Sequence, residues 1–103
     1  MAEIIRGTTP TIKFVFNTIE VPSITTAYFL IKNGQKIIIE KDLSSATIET
    51  NSLAWKLTQE ESFLLSAGAT VSVMCDWKLA DGTRGRSKIE SYKVAPAGKG
   101  EVI

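Results

Sequence analysis

Histidine is absent from this 103-residue chain. Its absence removes the commonest general base, the commonest metal ligand and every Ser-His-Asp or Cys-His arrangement. Cysteine occurs once, as Cys75, so no intramolecular disulfide can form and no Cys or His cluster can build a zinc centre. A single thiol with no imidazole partner reads as a small apolar core residue. Neither GxGxxG nor GxxxxGK[ST] occurs, so no phosphate-cradling loop is legible. No run approaches the roughly 20 apolar residues that span a bilayer. The opening Met1 to Gly7 lacks the charged-then-apolar pattern of a secretory leader. The expectation is a chain made in a reducing cytosol, with no membrane partner.

An excess of one charge is also missing. Twelve Lys and Arg stand against eleven Asp and Glu, a formal net charge of +1. Long-range attraction to nucleic acid has no support there. No aromatic residues interleave with the basic ones, as base stacking requires. Among the acids, Glu60-Glu61 fits a helix start, Asp76 the wet face of a strand and Asp81 a turn. The oxygens around Asp42 lack the DxDxDG spacing of a calcium loop. No catalytic residue, metal site or cofactor is therefore expected, and the chain is read as not an enzyme.

What the sequence does contain is alternation. In Val71 to Leu79 the odd positions are apolar and the even ones polar except Met74, the period of a half-buried strand. Asp81-Gly82 then suits a tight turn, and Thr83 to Val94 returns, making this ribbon the centre of the domain. Arg84, Arg86 and Lys88 follow at a spacing of two, so they are expected on one face with Lys78 and Lys93 nearby. That face is read either as a solvated, aggregation-resistant surface or as a rim for an acidic partner protein.

Working forward, Glu3 to Gly7 is a short β-prone start. Thr11 to Phe16 alternates as a strand after Pro10. Asn17 to Thr25 is a connector tacked down by Ile19, Val21 and Ile24. Ala27 to Lys32 is apolar on both faces, which places Tyr28 and Leu30 at a subunit contact. Asn33-Gly34 predicts a hairpin returning through Gln35 to Glu40. Thr47 to Thr50 and Leu53 to Leu57 are further strands. Thr58 with Glu61 three residues on is a capping box, predicting a short helix near residues 59–65 that Gly68 ends.

The fold class expected is all-β: an antiparallel β-sandwich, immunoglobulin-like or a flattened barrel, of about seven or eight strands with that one helix. Residues 1–95 form the single domain and residues 96–103 a flexible tail. The core is expected from Ile12, Phe14, Phe16, Phe29, Ile31, Leu53, Trp55, Leu57, Val71, Val73, Trp77 and Ile89. Trp77 resembles the buried tryptophan of immunoglobulin domains, without their disulfide.

Ile5-Arg6-Gly7-Thr8-Thr9-Pro10-Thr11-Ile12, then Leu57-Thr58-Gln59-Glu60-Glu61, then Asp81-Gly82-Thr83 with Ser87-Lys88-Ile89-Glu90 form an ordered set. Together they resemble a family of small structural proteins of tailed bacteriophages and Gram-positive prophages. The opening is similar to the N-terminal β-sandwich domain of upper baseplate proteins from phages of lactic acid bacteria. The resemblance runs from about Glu3 to Val94 and implies a virion component of the tail or baseplate, without catalytic residues. Its partners would be other tail and baseplate proteins and further copies in a ring. The chain stops short of the coiled coil and receptor-binding head of baseplate proteins, so an adaptor or accessory role is expected. Tyr28, Leu30, Arg84, Arg86 and Lys88 are the candidate partner-binding residues. The alternative is a glycan-binding or adhesin-type sandwich, which needs exposed aromatics that Trp55 and Trp77 do not offer from inward positions.

Overall fold

A computed structural model describes residues 2–17 and 20–98. The expected anchor Ile19 and most of the expected tail, residues 99–103, lie outside the described residues. The elements in chain order are β1 (Ala2–Ile5), β2 (Thr11–Val15), β3 (Ile24–Asn33), β4 (Lys36–Asp42), β5 (Thr47–Ile48), β6 (Ser52–Lys56), α1 (Gln59–Phe63), β7 (Thr70–Leu79), β8 (Arg84–Arg86) and β9 (Glu90–Ala95). They build an all-β sandwich. One sheet runs β1-β9-β7-β3-β4 with β8 also on β7, and the smaller sheet runs β2-β6-β5. Pairing is antiparallel except that β1 lies parallel to β9, which makes the larger sheet mixed.

Strand β7 sits in the middle of the larger sheet, as its alternation predicts. Its partner on one side is β3, with Phe29 opposite Cys75 and Ile31 opposite Val73. Those inward side chains meet Phe14, Leu53 and Trp55 of the smaller sheet in one buried cluster. Trp55 stacks on Phe29 at 5.4 Å between centroids, and Phe14 packs edge-on against both. The Trp55 indole donates to the Asp42 carbonyl at 2.9 Å, so its one polar atom is satisfied in the core.

The return from β7 departs from a single long strand. Asp76 faces Arg86, but Val73 faces Glu90, so one extra residue enters between them. Ser87 marks the break: its N–H donates to the Cys75 carbonyl, and its hydroxyl, not its backbone, accepts from the Cys75 N–H. Strands β8 and β9 therefore occupy the same border of β7 in succession. That split brings the described residues to nine strands against the seven or eight expected, and it swings Ile89 out of the core to 49% exposure, a correction to its predicted inward position.

Both hairpins occur, with turns other than the dipeptides suggest. Asn33 pairs with Lys36, so the turn residues are Gly34 and Gln35, and only Gly34 has positive φ. This is the pattern of a glycine-first turn rather than Asn-Gly. After β7 the loop spans Ala80, Asp81 and Gly82. The Gly82 N–H donates to the Leu79 carbonyl, the Leu79 N–H donates to the Thr83 carbonyl, and only Gly82 is left-handed. The capping box of α1 forms as expected, with Thr58 Oγ1 accepting from the Glu61 N–H and Glu61 accepting from the Thr58 N–H. The N-terminal segment is clipped to this helix: the Gly7 N–H donates to Ser62 Oγ, and Gln59 Nε2 donates to the Gly7 carbonyl.

Candidate interaction site

Alternation along β3 and β7 carries Thr26, Tyr28, Asp76 and Lys78 to the outer face of the larger sheet, and β8 adds Arg84 and Arg86. These side chains line an open trough of about 610 Å³. Arg86 grips Asp76 through two contacts, Nε to Oδ1 at 2.6 Å and a second guanidinium nitrogen to Oδ2 at 3.1 Å. The Asp76 carboxylate, hydrogen-bonded and close, holds the Arg86 pKa above its ordinary value. Arg84 and Lys78 have no ion pair among the described residues, so the trough holds three cations and one carboxylate. Tyr28 stands over it at 44% exposure.

Of the five residues predicted to bind a partner, the trough unites Tyr28, Arg84 and Arg86. Leu30 does not line it. It shares the Tyr28 face, but with Met74 opposite it the side chain is only 8% exposed. Lys88 also separates from the arginines, because the extra residue at the break disrupts the two-residue spacing. It lies instead beside a second groove of about 450 Å³ between β2 and the β8–β9 break. Arg86 touches both depressions.

Strand borders are the other feature. The Phe16 N–H donates to Asn51 and the Leu57 N–H to the Pro10 carbonyl, so even-numbered residues of β2 point their backbone groups at β6. Thr11, Lys13 and Val15 aim theirs at a border that pairs with no strand among the described residues. On β8, Thr83 and Ser87 bond back to β7, so Gly85 does too, and Arg84 and Arg86 point their N–H and C=O groups outward, where no strand pairs with them among the described residues. Sequence reading missed this second border because the break is set by the register of Thr83 to Val94 against β7. The glycine at Gly85, between two arginines, is the signal that was available. A Cβ there would lie 2.2 Å from Trp77 Cζ2, so the indole occupies the space of a missing side chain. Trp77 is consequently half-buried, edge-on to Phe16.

Groups suited to chemistry are occupied elsewhere. Cys75 is fully buried, and burial, aided by the Asp76 charge, pushes its thiol pKa up to about 12. Asp81 accepts from the Thr83 N–H, which lowers its pKa. Asp42 accepts from the Ser44 hydroxyl and N–H, and the hydroxyl bond is the main cause of its lowered pKa. Burial works against the Glu61 charge, but hydrogen bonds from Lys41 at 2.8 Å and from Thr58 outweigh it and lower the pKa. No group of three His, Cys, Asp or Glu side chains that could hold a metal ion occurs among the described residues. No helix among them is long and apolar enough to cross a membrane. Compared with known proteins, the chain matches no family model and no curated sequence.

Proposed function

We propose that this chain is a non-enzymatic structural protein of a tailed bacteriophage or prophage. In this reading it is made in the bacterial host cytoplasm and incorporated in the virion tail or baseplate as an accessory or adaptor module. It acts by contact with other tail and baseplate proteins and with further copies of itself. The observation that carries the reading is the outer-face trough, where Arg84 and Lys78 have no ion partner among the described residues and lie beside exposed Tyr28, while the one thiol is sealed in the core. Such a surface recognises; it does not react.

Ring assembly needs two different patches that meet head to tail. The trough supplies one. The outer face of the smaller sheet supplies another, with Val15 55% exposed beside the Lys13–Glu49 pair. The glycan-binding alternative has less support, because Trp55 is fully buried and Trp77 is packed over Gly85.

The test is mass spectrometry of purified particles from the encoding strain after prophage induction, together with deletion of the gene. Recovery of the chain in particles, and defective tails without it, support the reading. Its exclusion from particles while it is abundant in the lysate refutes it.

A further inference from the structure

We propose that the free border of β8 accepts an acidic, extended segment of a partner protein as an additional strand of the larger sheet. The proposal deepens the reading above, because it rests on this chain acting by binding other proteins. Three observations meet at that border. Arg84 and Arg86 offer outward N–H and C=O groups, the hydrogen-bonding half of strand addition. Their side chains, with Lys78 beside them, lie on the outer face, where Asp76 is the one carboxylate lining the trough. Gly85 between them carries no side chain, and the half-buried Trp77 ring fills the space a side chain there would take, so no β8 side chain stands between the ring and the border.

Together these features define the occupant. Residues of the incoming strand that point outward lie beside Arg84 and Arg86, where carboxylates are favoured and ammonium groups repelled. Residues that point inward lie beside Gly85, where an apolar side chain covers the Trp77 indole. A segment alternating acidic and apolar residues meets both demands. Arg86 is already held by Asp76, so Arg84 and Lys78 supply the uncompensated charge.

The experiment uses the whole chain and two probes, an octapeptide of alternating valine and glutamate and its valine–lysine counterpart. Amide exchange by NMR and Trp77 fluorescence are the readouts. With the glutamate probe, exchange should slow at Arg84 and Arg86 but not at Gly85, whose N–H already faces β7. Trp77 emission should shift to the blue. The lysine probe should bind at least tenfold more weakly. Lys78→Glu/Arg84→Glu, at exposed or half-buried positions without ion partners, should retain the wild-type melt and invert the preference. Slowed exchange at Thr11, Lys13 and Val15 instead would place the segment on β2 and overturn the proposal. So would protection of Arg84 and Arg86 that rises with protein concentration alone, the mark of a second copy, or equal binding of both probes, or no binding. None of these results bears on whether the chain is found in purified particles, so the two readings fail separately.

Discussion

Gly85→Ala is the sharpest perturbation this structure offers. The new methyl would sit 2.2, 2.5 and 2.9 Å from three carbons of the Trp77 ring. Carbon atoms rest about 3.5–4 Å apart, so the indole must retreat by more than about 1 Å. It lies between Gly85 and Phe16, with ring centroids 6.4 Å apart on the Phe16 side, and cannot simply move inward. Being half-buried, it can swing toward solvent, which limits the damage. Overpacking of this kind costs about 1–3 kcal/mol; at about 2 kcal/mol a domain of this size melts roughly 8–16 °C lower. The assay is thermal and denaturant unfolding of Gly85→Ala, Trp77→Ala and the double variant, with iodide quenching of tryptophan fluorescence. Trp55 is sealed in the core, so added quenching reports on Trp77. The clash exists only when both side chains are present. The double variant should therefore be less damaged than the sum of the singles by about 1–2 kcal/mol. Additive costs, or a Gly85→Ala protein that melts like the wild type, would show that the ring does not depend on the missing side chain.

Other outcomes follow from single contacts. Cys75 should resist a thiol reagent at pH 8 until the protein is unfolded, because its thiol is buried and pushed up to about 12. Rapid labelling of native protein would contradict this. Thr58→Ala removes half of the capping box and should cost about 1 kcal/mol in a urea melt. The lowered Glu61 pKa means that the unfolded chain binds this proton more readily than the folded one. Its stabilising contribution is present above the ordinary value of 4.5 and lost as pH falls through the lower folded value. Glu61→Gln should then show a shallower loss of stability between about pH 5 and 3 than the wild type. Leu30→Ser should destabilise the monomer by about 1–3 kcal/mol, since it buries a hydroxyl, whereas Tyr28→Ser at the exposed neighbouring position should leave the melt nearly unchanged.

Alternation by itself determined most of the architecture. Ile12-Phe14-Phe16, Leu53-Trp55-Leu57 and Val71-Val73-Cys75 each place apolar residues two apart, and a strand has no other way to bury them together. Thr58 and Glu61 likewise fixed the helix start, because the capping box is a contact between residues three apart. What lay beyond the sequence was every feature that depends on a neighbour distant in the chain. The parallel seat of β1 on β9 joins the two ends of the domain. Leu30 and Tyr28 share one face of one apolar run, yet the first is buried and the second exposed, a difference that periodicity does not encode. The break at Ser87 arises where one extra residue must be absorbed against β7, and that register shift separates Lys88 from Arg84 and Arg86. Local periodicity chooses which face of a strand is apolar. Only the packing of strands against one another decides which polar face is crowded, which border is left open and where cations gather without partners.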